Sequence, residues 1–106
     1  MGEYLSNEPP RGEVDATAGP AVLEFGNNWC GYCRRAQPLI EEAFAGQQAL
    51  PHQKIADGPG KPLGRSFGVK LWPTLIFLRD GIERARVVRP ADSAQISAAL
   101  AQITAA

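Results

Sequence analysis

The sequence predicts an α/β layer fold: a central mixed sheet flanked by helices, with an antiparallel hairpin and a helix at the C-terminal end. Two strand-like segments, 21–25 and 53–56, enclose an amphipathic helix over about 30–45. Strands joined by such a crossover are parallel, and the connection is right-handed. The most apolar strand, over 74–78, is then followed by Asp80-Gly81, which is typical of a hairpin turn.

The N-terminal segment, residues 1–20, is rich in turn-forming residues, and we expect it to be loosely structured within a single domain of 106 residues. Pro9 and Pro10 can nevertheless begin a short helix through Asp15, because proline suits the first helical turn. The first strand follows and ends at Gly26.

The helix that begins at Cys30 is predicted from a change of period. Apolar residues recur at three- and four-residue steps, while Gln37 and several charged residues lie on the other face. Gly46 is a natural stop for this helix. Pro38 lies inside it and removes one backbone hydrogen bond, which predicts a kink.

The second half of the chain begins with the weaker strand over 53–56, and His52 before it is interpreted as an ordinary loop residue. One helical turn is expected near 63–67, and the hairpin returns over 83–88. Asp92 can cap the last helix. The predicted buried stripe of that helix is Ile96, Ala99, Leu100 and Ile103.

Composition excludes several classes of function. The chain has 11 Lys+Arg and 11 Asp+Glu, a formal net charge of +0, whereas nucleic-acid binding needs a cationic excess. The apolar run from Leu75 to Leu78 is far shorter than the roughly 20 residues that span a membrane. The N-terminus, Met1 to Tyr4, has no basic and apolar leader, so we expect a cytoplasmic protein.

Cys30 and Cys33 are the only cysteines, and they lie at the predicted strand-to-helix junction. A structural disulfide closing so small a ring would stabilise the fold by about 2 kcal/mol. A zinc site would have three ligands at best, counting His52, unless two chains shared it. Redox chemistry is therefore favoured. The helix N-terminus favours a Cys30 thiolate that attacks a substrate disulfide, and the shielded Cys33 would resolve the mixed disulfide.

Glu24 interrupts the first strand, which is otherwise apolar. We predict that it is half-buried, that its pKa is raised, and that it exchanges a proton with Cys33 during resolution. Lys54 on the neighbouring strand is a candidate partner. A solvated carboxylate and a surface lysine are the alternatives.

A set of motifs follows in order along the chain: Leu23-Glu24-Phe25, Trp29-Cys30-Gly31-Tyr32-Cys33, Pro38, Lys54, Phe67-Gly68-Val69, Trp72-Pro73-Thr74 and Asp80-Gly81. Together these motifs resemble the thioredoxin family from about Ala21 to Ile103. The resemblance implies a thioredoxin fold in which Cys30 attacks, Cys33 resolves and Pro73 is a cis-proline facing them. Glu24 takes the position of the family's buried aspartate and Lys54 that of its partner lysine. The implied substrate-binding residues are Trp29, Gly31, Tyr32, Trp72, Pro73 and Thr74.

The resemblance also implies a thiol–disulfide oxidoreductase that reduces protein disulfides. The redox-active Cys30–Cys33 disulfide would exchange the electrons, and no bound cofactor is implied. The expected protein is a monomer recharged by a thioredoxin-reductase-type or glutathione-linked reductant.

Four residues depart from the family pattern. Tyr32 replaces the usual proline, as in bacterial disulfide isomerases, and Gly26 replaces a tryptophan. Leu71 and Arg89 replace small glycines that line the substrate groove, which predicts a more obstructed and more cationic groove. A disulfide isomerase or oxidant, and a non-catalytic module that binds a partner beside Pro73, therefore stay open.

Overall fold

The computed structural model describes residues 3–104. Four strands form one sheet in the order β2-β1-β3-β4. The elements are α1 (Arg11–Asp15), β1 (Pro20–Gly26), α2 (Gly31–Phe44), β2 (His52–Ala56), α3 (Pro62–Ser66), β3 (Thr74–Arg79), β4 (Ile82–Val88) and α4 (Ser93–Thr104). Strand β1 is parallel to β2 and antiparallel to β3, and β3 is antiparallel to β4. The predicted α/β class and mixed sheet are confirmed.

The sheet is covered on both faces, and β1 contributes to two separate cores. Val22 packs into the core that includes α2 and α4, whereas Leu23 and Phe25 pack into the core that includes α1 and α3. Successive strand residues point to opposite faces, so Glu24 lies on the same face as Val22, beneath α2. This alternation brings a carboxylate under the helix that carries the cysteines.

Two residues near the site differ from their predicted environments. His52 is the first residue of β2 and pairs with Val22, so its interpretation as a loop residue was wrong. Gln37 is buried in α2, although we predicted it on the polar face. It lies four residues after Cys33, and residues at that spacing share a helix face. Helix α2 continues through Pro38, and the kink stays a prediction.

The segment before β1 takes more part in the core than its composition suggested. Tyr4 and Val14 are buried, and Leu5 forms a parallel bridge with Ile55 of β2. Helix α1 begins directly after Pro10 and ends at Asp15, as predicted. The described part of the N-terminal segment thus covers both the end of the sheet nearest the cysteines and its α3 face.

The last helix forms as its sequence indicates. The carboxylate of Asp92 accepts the backbone N–H of Gln95 at 3.0 Å, which confirms the predicted cap. The predicted stripe, Ile96, Ala99, Leu100 and Ile103, is buried. Across residues 3–104, every helix is too short or too polar to cross a membrane.

The hairpin between β3 and β4 depends on Gly81. Asp80 and Gly81 both have positive φ, 53° and 78°, as a two-residue hairpin turn requires. A Cβ at Gly81 would lie 2.0 Å from the carbonyl oxygen of Asp15. The turn therefore needs glycine for both its conformation and its contact with α1.

Replacing Gly81 with alanine is expected to lower the free energy of unfolding by about 2 kcal/mol or more, because the turn strain and the clash with Asp15 add. Urea denaturation followed by circular dichroism measures this change. Gly12→Ala is the matched control: nothing lies within 4 Å of a Cβ there, and alanine favours helix α1. Equal stability of Gly81→Ala and the wild type would contradict the expected clash.

Candidate active site

The two cysteines occupy the beginning of α2. Cys30 is its N-cap residue, and the Cys30 Sγ accepts the backbone N–H of Cys33 at 3.3 Å. Both side chains are free thiols. Cys30 is 8% exposed and Cys33 0%. The predicted order of exposure is confirmed, but Cys30 is more enclosed than predicted, because Trp72 packs against the pair.

Cys33 is held in its protonated form. Burial, and then the hydrogen bond with Cys30, raise the pKa of Cys33 to about 12. Hydrogen bonds to the backbone of Asn27 and to Tyr4 act in the opposite direction. A thiol with so high a pKa is protonated at neutral pH, and it must lose its proton before its sulfur can act as a nucleophile.

Two tryptophans form the wall beside the cysteines. Trp29 is 69% exposed, and its ring meets the ring of Trp72 edge-on with centroids 5.6 Å apart. The indole N–H of Trp72 donates to Asp57 Oδ2 at 2.9 Å, which fixes its orientation. Gly31 and Tyr32 continue this surface into the first turn of α2, with Tyr32 48% exposed.

The loop before β3 lies next to this wall. The Trp72-Pro73 peptide bond is cis, as the resemblance implied. Thr74 is 1% exposed, and its hydroxyl donates to the Leu71 carbonyl at 2.6 Å. Its side chain therefore stabilises the loop before β3, and substrate binding by Thr74 stays a prediction. The other predicted substrate-binding residues keep that role as a prediction.

Arg89 reaches across the groove from the end of β4. Its backbone N–H donates to the Pro73 carbonyl at 3.0 Å, and its Nε donates to the Trp72 carbonyl at 2.8 Å. Its guanidinium lies 3.7 Å from the centre of the Tyr32 ring, and that of Arg35 lies 5.0 Å from it. Two cations therefore contact the aromatic residue between the cysteines.

Glu24 is fully buried and accepts hydrogen bonds from four side chains. Lys54 Nζ and Gln37 Nε2 approach its Oε2 at 2.8 and 3.0 Å, and the Tyr4 hydroxyl donates to the same oxygen. The His52 Nε2 lies 2.9 Å from its Oε1. Because a carboxylate can only accept, this histidine nitrogen carries the proton.

The predicted raised pKa of Glu24 was wrong. Burial by itself would raise it, but the hydrogen bond from His52 and the charge of Lys54 outweigh burial and lower the pKa of Glu24 to about 2. The carboxylate is therefore ionised at neutral pH and is a weak proton acceptor. The structure thus confirms that Glu24 and Lys54 are partners, while the role of Glu24 in proton transfer stays a prediction.

Three of the side chains that donate to Glu24 were not predicted from the sequence: Tyr4, Gln37 and His52. The imidazole of His52 also stacks on Phe44, with ring centroids 4.3 Å apart. One signal for Tyr4 was Gly26, which stands where the resemblance expects a tryptophan. A Cβ at Gly26 would lie 2.7 Å from both the Cys33 Sγ and the Tyr4 Cζ. The Tyr4 ring packs directly against this glycine.

Metal-binding side chains do not converge near these groups. Among residues 3–104, no three His, Cys, Asp or Glu side chains lie together as a metal site requires. The chemistry that the described site supports is thiol–disulfide exchange at Cys30 and Cys33.

Comparison with known proteins supports this chemistry. The sequence model of the Thioredoxin family matches residues 4–102. The structure superimposes on thioredoxin 2 from Pseudomonas aeruginosa PAO1 in its reduced form with a TM-score of 0.86 and 50% identity, covering 96% of this chain and 94% of that one. Thioredoxin from Chlamydia pneumoniae is 39% identical over 75 residues, which are 67% of this chain and 70% of that protein.

Another relative is much longer than this chain, and only part of it aligns. Protein disulfide-isomerase A2 from Pongo abelii is 34% identical over 97 residues, which cover 72% of this chain and only 18% of that protein. The family match extends over nearly all of the chain, and the cysteine pair lies at the position that the fold uses for exchange. The chain therefore belongs to the thioredoxin family, with the thioredoxin fold and a thiol–disulfide oxidoreductase site at Cys30 and Cys33.

Proposed function

We propose that the protein works in the cytoplasm as a reductant of protein disulfides. The observation that carries this proposal is the unequal setting of the two thiols. Cys30 caps α2 beside exposed aromatic residues, whereas Cys33 lies directly behind it, fully buried and protonated. Such a pair supports one attacking and one resolving sulfur.

The exchange takes two steps. The Cys30 thiolate attacks one sulfur of the substrate disulfide, forming a mixed disulfide and releasing the other sulfur as a thiolate. Cys33 then loses its proton and attacks the Cys30 Sγ. The Cys30–Cys33 disulfide forms, and the second substrate sulfur leaves and takes up a proton. Two electrons pass from the protein to the substrate.

The partners that we propose follow from this chemistry. Protein disulfides are the substrates, and a thioredoxin-reductase-type or glutathione-linked reductant returns the two electrons. We propose no bound cofactor, and no nucleic-acid or membrane partner. The protein would act as a monomer, which light scattering tests. Coupled NADPH oxidation with either recycling system tests the reductant, and cell fractionation tests the location.

A redox titration of the Cys30–Cys33 couple against glutathione tests the direction of electron flow. We expect a reduction potential of about −270 mV, the value typical of thioredoxin. The alternative is an isomerase or oxidant, and the observation that favours it is Tyr32 between the cysteines, contacted by Arg35 and Arg89. A potential well above about −200 mV would support that alternative and contradict a reductant.

A further inference from the structure

The buried side chain of Tyr4 packs with Cys30 and with Cys33, the resolving cysteine. We propose that Tyr4 is a positioning residue whose O–H donates a hydrogen bond to the Cys33 sulfur while that sulfur is a thiolate, during the second exchange step. This inference rests on the proposed exchange function and adds to it a residue for the resolving step. Three features of Tyr4 support this role: its packing, its hydrogen bonds and the charges around it.

Tyr4 is held firmly against Cys33. Its ring is 6% exposed and packs with both cysteines. Gly26 leaves the space for this contact, since a Cβ there would meet the Tyr4 Cζ and the Cys33 Sγ, each at 2.7 Å. The side chain of Asn28 holds the backbone of Tyr4, accepting its N–H at 2.8 Å and donating to its carbonyl at 3.2 Å.

The Tyr4 hydroxyl has one proton and two neighbouring acceptors, Glu24 Oε2 and the Cys33 sulfur. It donates to Glu24 Oε2 and itself accepts from Gln37 Nε2 at 3.2 Å. A hydroxyl donates only one hydrogen bond at a time. Glu24 keeps Lys54, His52 and Gln37 as donors, so it remains well satisfied if the Tyr4 proton turns to Cys33.

The surroundings keep Tyr4 a donor. Burial, and then the charge of Glu24, raise the pKa of Tyr4, so the phenol stays protonated while Cys33 reacts. Lys54 Nζ lies 4.2 Å from the centre of the Tyr4 ring. A cation over the ring draws electron density from it and strengthens the O–H as a donor. A hydrogen bond from Tyr4 to Cys33 acts to lower the pKa of Cys33, against the larger effect of burial.

Other charged groups also face Cys33 or its neighbours. Cys30 lies beside it, and Glu24 lies beyond Tyr4 with Lys54 and His52 around it. A cleft of about 240 Å³ next to Cys33 is lined in part by Glu3 and Arg34. Among the described residues, Tyr4 is the side chain that both packs against the Cys33 sulfur and hydrogen-bonds to Glu24.

The step balances without a proton reaching Glu24, whose low pKa makes it a poor acceptor. The Cys33 thiol loses its proton, which ends on the substrate sulfur that leaves. The Cys33 sulfur forms a bond to the Cys30 Sγ, and the bond between Cys30 and the substrate breaks. The Tyr4 proton stays on its own oxygen and turns from Glu24 to the thiolate.

Reaction with 5,5′-dithiobis(2-nitrobenzoate) separates the two steps in one stopped-flow trace. Attack by Cys30 releases the first equivalent of thionitrobenzoate, and resolution by Cys33 releases the second. For Tyr4→Phe we expect an unchanged first phase and a second phase about threefold to twentyfold slower. One hydrogen bond to a charged group changes the thiol pKa by about one to two, and the accompanying change in thiolate nucleophilicity offsets about half of that effect on the rate. The midpoint of the second phase's pH profile should also move to higher pH.

Three outcomes would overturn the inference: an unchanged second phase in Tyr4→Phe, equal slowing of both phases, or an unmoved pH midpoint. Thr17→Val is the control, since it removes a hydroxyl that donates to the Glu13 carbonyl, and both phases should match the wild type. Failure of the wild type to release the second equivalent would instead contradict the exchange function itself.

If Tyr4→Phe does not fold, a second variant that retains the phenol hydroxyl tests the same role. With 3-fluorotyrosine at position 4, the more acidic phenol donates more strongly. The pH midpoint of the second phase should then move to lower pH than in the wild type. A midpoint equal to that of the wild type would overturn the proposed role of Tyr4.

Discussion

Replacing Cys30 with serine is expected to reduce the rate of insulin-disulfide reduction to background. Serine has no thiolate, and it cannot form the mixed disulfide with which the reaction begins. Replacing Cys33 with serine should leave the first step intact and stop the reaction at the mixed disulfide. Turbidity of reduced insulin measures the first result, and intact mass before and after dithiothreitol measures the second.

These two cysteine variants are matched controls for each other, because each removes one sulfur from the same turn of α2. Cys33→Ser should accumulate a substrate adduct, and Cys30→Ser should not. Activity that survives Cys30→Ser would exclude Cys30 as the attacking thiol. Partner binding that persists unchanged in a variant without either cysteine would support a non-catalytic binding module instead.

Acidification is expected to remove a large part of the stability that Glu24 contributes. Its pKa is lowered from 4.5 to about 2 in the folded protein, so the unfolded chain binds a proton more readily. The stabilisation is therefore complete above about pH 4.5 and is lost as the pH falls towards 2. The shift in pKa corresponds to a contribution of about 3 kcal/mol to the free energy of unfolding, whose expected total is about 5–15 kcal/mol.

Glu24→Gln tests this contribution, because it keeps the shape of the side chain and removes its charge. We expect it to lower the free energy of unfolding by about 3 kcal/mol at pH 7, leaving Lys54 without its buried partner, and by much less near pH 2. Urea denaturation across this pH range measures the difference. Glu41→Gln, at an exposed position of α2, should follow the wild type. An acid sensitivity in Glu24→Gln equal to that of the wild type would contradict the lowered pKa.

The secondary structure near the site could be predicted because each signal is local. Periodicity marks α2, Asp80-Gly81 marks the hairpin, and Asp92 marks the beginning of α4. Each of these patterns lies within one helix, one turn or one helix cap. The cysteine pair could also be assigned a function from its position at the helix N-terminus.

The groove beside the cysteines was only partly predictable. Leu71 and Arg89 indicated an obstructed and cationic groove through their departure from the family. The sequence did not show that Arg89 turns back to bind the Trp72 carbonyl and stack on Tyr32. That contact depends on the positive φ of 47° at Arg89 and on the pairing of β3 with β4, which bring distant parts of the chain together.

The α/β fold, the family and the cysteine pair could be predicted from the sequence, since they depend on patterns of neighbouring residues. The ionisation state of Glu24 depends on tertiary contacts and could not be predicted in this way. A buried carboxylate can have a raised or a lowered pKa, and the sign depends on how many donors reach it. Here Tyr4, Gln37, His52 and Lys54 reach it from the N-terminal segment, α2 and β2. The hydrogen bond from His52, the charge of Lys54 and the hydrogen bond from Tyr4 lower the pKa of Glu24, and Tyr4 joins this site to the cysteines.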